Sequence, residues 1–333
     1  MSGMKRLRTI VGRWELFLFA VLILTLITGS SVSRYFLTGS NISIALAGAM
    51  PIAIIALSMT LIVITGEIDI SVGSIVGLCA TSMAICLEQG LPIGWAIPVG
   101  VGVGALAGLL NGVLVVSGGL PSLVVTIGTL ALYRGIAQIL LKERGVSSFP
   151  EWYQEIGFGT LPGTAIPWSV VIFLALFAGF AVYLHRTHWG RALYAIGNNR
   201  EAARYSGVNT GRMLVGIFVA SGVLCSVAAI VLTAYLASAR SDTGLGLELF
   251  VITAVVLGGV DIFGGSGTLG GVLLAILVLA FVQNALGLAG VTPEEQQIVT
   301  GGVLVTTLIL FGSSGMITRI RSGLASLRAR KKT

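Results

Sequence analysis

A chain of 333 residues, 55% of them hydrophobic and only 10% charged, with a mean hydropathy of +0.99, does not suit one to three water-soluble domains. Those values describe a polytopic membrane protein set in a lipid bilayer. The formal net charge of +7 invites nucleic acid, yet the basic residues sit beside apolar runs rather than interleaving with aromatics on a polar domain, so no nucleic acid partner is expected. Cys79, Cys86 and Cys225 are odd in number and lie in apolar runs, which indicates neither a disulfide framework nor a metal site. They read as small packing residues.

Residues 1–27 start basic and turn apolar, and Ser31-Val32-Ser33 loosely imitates a cleavage site. The lack of an Ala-x-Ala site and the many later apolar runs favour a retained first helix. A helix needs about 20 apolar residues to cross the hydrocarbon at about 1.5 Å each. That rule predicts an all-α chain with spans near 14–33, 42–65, 71–88, 92–117, 121–141, 167–185, 213–238, 247–262, 268–287 and 296–313, roughly ten in all. The eighth is short and bordered by glycines, which leaves a re-entrant or broken segment open. No second domain is indicated, so residues 1–333 form one transmembrane unit with a polar loop at 186–212 and a basic tail at 314–333.

Charge gives the orientation. With the amino terminus in the cytoplasm, Lys5, Arg6, Arg8 and Arg13 lie inside, followed by Arg186, Arg191, Arg200, Arg204 and Arg212, and by the tail from Arg319 to Lys332. Arg34, Lys142, Arg144 and Arg240 fall outside, and Arg134 is left in a span. The positive-inside rule then puts both termini and the 186–212 loop in the cytoplasm.

In chain order, the first polar feature is Gly66-Glu67-Ile68-Asp69-Ile70-Ser71-Val72-Gly73-Ser74. It predicts a tight turn in which Asp69 or Ser71 caps the next helix, with substrate contact the less favoured role. The fourth span carries Gly100, Gly104, Gly108 and Gly112 at four-residue spacing, a stripe for close helix packing. Asn111 beside it needs a partner in hydrocarbon, across helices or on the transport path, with the structural role favoured. Pro121 opens the fifth span at no cost, and Thr126 and Thr129, one turn apart, either bond back to the helix or present a polar strip to a sugar. Arg134 costs about 2.5–3.5 kcal/mol at a span centre, so it should face a cavity, a partner or the outer interface.

The 186–212 loop holds a short helix of roughly two turns, capped by Asn198 or Asn199, with Glu201 in its first turn and Gly207 as a left-handed stop. A helix that short is expected to pack on something. Ala202 and Ala203 are small enough for close approach, and Tyr205 offers an aromatic anchor. His185 and His188 stand one turn apart at a basic boundary without a carboxylate nearby, so no metal is expected. The glycine-dense stretch from Gly258 and Gly259 to Gly271 predicts irregular backbone and carries Asp261. Gln283 and Asn284, with Gln296 and Gln297, could bond a sugar, one of each pair at most, although interhelical bonding is the expected use.

Several of these stretches resemble one family. Glu201-Ala202-Ala203 with Gly207 is similar to the coupling helix of ABC importer membrane subunits, and Gly190-Arg191-Ala192-Leu193-Tyr194-Ala195-Ile196-Gly197 resembles the branch serving ribose, other monosaccharides and a furanosyl quorum-sensing signal. Residues 66–74 are similar to that family's Gly-Gly-Ile-Asp-Leu-Ser-Val-Gly, although Glu67 stands where glycine is usual. Pro121 to Leu130 and the stretch 238–271 resemble it too, the latter closest to permeases for rhamnose-like sugars and the furanosyl autoinducer. Asp261 departs from the family's small polar residue. The likeness runs from about Ile42 to Leu310.

The resemblance implies a type II-like permease of about ten helices in a bacterial inner membrane. Its coupling helix would sit in a groove on an ABC ATPase subunit. A second permease subunit, identical or homologous, would complete the path, and a periplasmic solute-binding protein would deliver a carbohydrate. The chain has no Gly-Lys dipeptide and so no Walker phosphate loop, which assigns ATP hydrolysis to a partner and makes the chain itself no enzyme. The rivals are an ion-coupled secondary sugar transporter, which requires ionisable groups in mid-membrane, and a membrane enzyme, which requires a convergent catalytic set.

Overall fold

The computed structural model describes residues 2–142, 144–307 and 309, with side chains described from residue 14 onward. The basic tail expected at 314–333 and the end of the tenth span lie outside these residues. The helices are α1 (Ser2–Val32), α2 (Gly39–Ile64), α3 (Val72–Glu88), α4 (Ile93–Val116), α5 (Ser122–Leu141), α6 (Glu151–Phe158) and α7 (Trp168–Arg186). They continue as α8 (His188–Asn198), α9 (Arg200–Tyr205), α10 (Thr210–Leu236), α11 (Leu247–Leu257) and α12 (Leu269–Leu288), and then α13 over residues 293–307. A two-stranded ribbon departs from the all-helical expectation: β1 (Gly145–Val146) pairs antiparallel with β2 (Ala239–Arg240).

Among the described residues seven helices are long and apolar enough to cross a membrane: α1 from Trp14, α2, α4, α5, α7, α10 and α12. Two of the ten expected spans are shorter helices. Helix α3 has 17 residues and α11 only 11, about 25 and 16 Å at 1.5 Å each. Each starts after non-helical chain: α3 after the stretch 67–71, and α11 after the turns at 241–246. The eighth span is therefore the broken segment that its glycines allowed.

Helix α2 is apolar on every side and is buried throughout residues 53–64, which makes it the centre of the bundle. The α4 glycine stripe faces α10. A Cβ on Gly104 or Gly108 would run into the Gly222 or Phe218 carbonyl, and one on Gly112 would come within 2.9 Å of the Val215 Cα. Gly222 answers from the other side, pressed against the Gly104 carbonyl, so the two backbones cross in direct contact.

The loops gather at two ends. At one, the Gly265 N–H donates to the Ile64 carbonyl at 2.8 Å, and Arg200 of the 186–212 loop pairs with Glu67. At the other, the β1–β2 ribbon joins α6, an ion pair between Arg144 and Glu88 at 3.3 Å, and a hydrogen bond from the Ser241 hydroxyl to the Lys142 carbonyl at 2.7 Å. Arg186, Arg191, Arg200, Arg204 and Arg212 all belong to the first end, as the charge pattern requires.

Candidate functional site

Polar punctuation builds the first end. Thr187 caps α8 by accepting from the Gly190 N–H at 3.2 Å, Asn199 caps α9 by accepting from the Ala202 N–H at 2.9 Å, and Asn209 caps α10 by accepting from the Arg212 N–H at 3.1 Å. Gly207 stops α9 with φ of 85°. Of the two asparagines proposed as caps, Asn199 does the capping. Asn198 instead donates to the Tyr194 and Gly265 carbonyls, at 2.8 and 3.3 Å.

Helix α8 buries Leu193 and Ile196 against the bundle. Its Gly197 has no room for a side chain, because a Cβ there would collide with the Ile64 carbonyl and the Gly265 N–H. The Tyr194 hydroxyl donates to the Gly267 carbonyl at 2.8 Å, and burial pushes its phenol up to about 12. The loop is thus fastened to the end of α2 and to the 258–267 turn through backbone. That turn is built by Asp261, whose carboxylate accepts from the Phe263 N–H at 2.9 Å while its own N–H donates to the Ser266 carbonyl at 3.1 Å. Gly258 packs against the Val272 backbone and Gly259 takes φ of 85° beside Trp14.

On this platform α9 presents Glu201, Ala202 and Tyr205 outward, and Tyr205 is 91% exposed. Ala203 is a correction: it is 4% exposed and packs inward, so its small size serves this chain's own packing rather than a partner's approach. A cleft of about 850 Å³ lies beside α9, lined in part by Leu120, Pro121, Arg204 and Val208.

The 66–74 stretch also differs from expectation. It turns at Gly66, with φ of 79°, and residues 67–71 then continue without helix against α5. Glu67 has ordinary backbone, because the left-handed position falls on its neighbour. Ser71 occupies the cap position of α3 without a capping side-chain bond. Asp69 accepts instead from the Ser71 N–H at 2.9 Å and its hydroxyl at 2.6 Å, both groups being fully buried. The Ile68 N–H donates to the Ser122 hydroxyl at 3.0 Å.

Asn111 and Thr126 meet this segment. Asn111 donates to the Ser71 hydroxyl at 2.8 Å and accepts from the Tyr133 hydroxyl at 3.1 Å, completing a buried chain from Asp69 to α5. Asn111→Leu is expected to lower stability by about 0.6–1.7 kcal/mol, read as thermal unfolding of the detergent-extracted chain. Thr126 is fully buried and donates to the Ile68 and Leu123 carbonyls at 3.3 and 3.4 Å; Thr129 is 4% exposed. Both hydroxyls are buried within this chain. Thr126→Val should cost at the low end of about 0.5–1.5 kcal/mol and leave uptake KM unchanged, and a shifted KM would restore the hydroxyl to the path.

Arg134 reaches three carbonyls, Ser241 at 2.8 Å, Thr243 at 3.0 Å and Gly73 at 3.2 Å, and so fastens the entry of α11 to α3. Asn284 exchanges hydrogen bonds with Asn41 at 2.8 and 3.1 Å, the interhelical use expected of it. Gln283 faces an apolar cavity of about 460 Å³ between α1, α12 and α13. Tyr133, Tyr194 and the Glu67–Arg200 pair were not singled out in the sequence as site residues. A phenol inside an apolar span is the signal that marks Tyr133, since its hydroxyl needs a partner.

Residues 41–308 match the family described as branched-chain amino acid transport system / permease component. The chain belongs to that permease family. It is similar to the autoinducer 2 import system permease protein LsrD of Yersinia pseudotuberculosis serotype O:3 (strain YPIII), 38% identical over 96% of this chain and 97% of that protein. The LsrD of Photorhabdus luminescens is 35% identical over 89% of this chain and 90% of its own length, and that of Yersinia pestis (strain Pestoides F) is 38% identical over 96% and 97%. No solved structure matches. The protein is accordingly an integral inner-membrane permease subunit of an ABC importer.

Proposed function

We propose that this permease carries a monosaccharide or related small carbohydrate inward, the furanosyl autoinducer first among the candidates, driven by ATP hydrolysis on partner subunits. The observation that carries the reading is α9: a capped two-turn helix, its Tyr205 91% exposed, standing on a loop fastened by backbone contacts to α2 and the 258–267 turn. A short helix presented this way is a handle for another protein, and closure of a docked ATPase pair would pull on it. The α9 end then faces the cytoplasm with both termini, in accord with its five arginines. A second permease, identical or homologous, completes the path, and a periplasmic binding protein delivers the ligand. The whole chain acts as one transmembrane unit.

The substrate assignment rests on the relatives, whose names specify autoinducer 2 import. One observation speaks for an ion-coupled carrier, the buried Asp69 with one carboxylate oxygen lacking a hydrogen-bond partner. Uptake of labelled furanosyl autoinducer into vesicles holding the permease and its co-purified subunits separates the two. ATP-dependent uptake that survives collapse of the ion gradients supports the importer, and gradient-driven uptake without ATP overturns it.

A further inference from the structure

Glu67 is the polar group that joins the α9 loop to the buried interior. Its carboxylate accepts from the Arg200 guanidinium at 2.9 Å, with the Glu67 side chain 11% exposed and that of Arg200 47%. Arg200 is the first residue of α9. Two residues beyond Glu67 lies Asp69, the start of the hydrogen-bond chain through Ser71 and Asn111 to Tyr133. Between them the Ile68 N–H and carbonyl hold α5 through Ser122 and Thr126.

The segment 67–71 makes no helix of its own, and its position is set by these side-chain bonds together with the Glu67 N–H, which donates to the Ile62 carbonyl at 3.2 Å. The segment is tied to α9 and to the end of α2 at Glu67, and further along to α5 and α4, where it leads into α3. The remaining fastenings of the α9 loop, at Gly197, Asn198 and Tyr194, lead to the end of α2 and to the 258–267 turn, whereas the Glu67–Arg200 pair ties α9 itself to the segment.

We propose that the Glu67–Arg200 ion pair is the link through which movement of α9 reaches the membrane interior, with Glu67 a positioning residue for transport. The proposal rests on the reading of α9 as the docking handle. It assigns a mechanical role to this carboxylate.

The test uses the full chain with its ATPase partners in proteoliposomes, with Cys79, Cys86 and Cys225 replaced by alanine and Ile70→Cys introduced as a probe in the segment. N-ethylmaleimide labelling of that cysteine is followed with and without ATP. In the otherwise native chain ATP should change the labelling rate severalfold. Glu67→Gln should remove that change while co-purification and ATP hydrolysis are kept, and the exchange Glu67→Arg with Arg200→Glu should restore it. A Glu67→Gln chain that keeps the full ATP-dependent change overturns the proposal, as does a native chain whose labelling ignores ATP. Failure of any ATPase to co-purify would instead overturn the docking reading of α9.

Discussion

Replacing Gly108 with valine is expected to abolish recovery of folded permease, whereas valine at Gly102, on the same helix, should be tolerated. At Gly108 the first added carbon collides with the Phe218 carbonyl and lies within 3.1 Å of the Val219 Cα, whereas at Gly102 it meets nothing within 4 Å. Overpacking among side chains costs about 1–3 kcal/mol, because neighbours can shift rotamers. Here the obstacle is backbone of α10, which cannot shift without moving the helix. Gly104 and Gly222 make the same contact one turn along, so a separation at Gly108 loosens the whole crossing. Monodisperse yield after detergent extraction and the Tm of the two variants decide the matter. Equal yield and Tm for Gly108→Val and Gly102→Val would mean that α4 and α10 do not cross here.

Glu201→Arg is expected to leave insertion and Tm near native and to abolish uptake. The side chain is exposed in the first turn of α9 and makes no ion pair among the described residues, so little of the fold depends on it. Reversal puts a cation at the positive end of a short helix, a small loss offset by the Asn199 cap and the packing of Ala203. On the outward face it replaces an acceptor beside Tyr205 with a repelling charge. A partner that reads this face should bind at least tenfold more weakly, about 1.4 kcal/mol or more. Uptake by vesicles of matched permease content is the measurement, and native uptake by the variant would remove α9 from the coupling route.

Why α9 could be read from sequence and the Asp69 segment could not is a matter of range. Asn199, Glu201 and Gly207 act within a few residues, through a cap, a dipole and a left-handed stop, so the helix and its ends follow from local chemistry. The glycine stripe of α4 is likewise local, although its partner α10 is not named by it. Gly66 to Ser71 reads locally as a turn, yet where its side chains go is fixed by Ser122, Asn111 and Arg200, from 40 to 133 residues away. The polar strip of Thr126 and Thr129 has the right spacing, but spacing does not say which face of α5 meets the chain's own core. Apolar length found the spans, α3 to within a residue of the expected 71–88, and the rule overran at α11, which ends at Leu257 where the expected span ran on to 262.

The central claim is that a separate ATPase drives this permease through α9. The most direct measurement is pull-down of the membrane-extracted chain, native and Glu201→Arg side by side, with mass spectrometry of the bound proteins and an ATP hydrolysis assay on each eluate. The account predicts an ATPase retained by the native chain and released by the variant, with hydrolysis following it. A native chain that purifies without any ATPase, yet accumulates solute from an ion gradient, would contradict it.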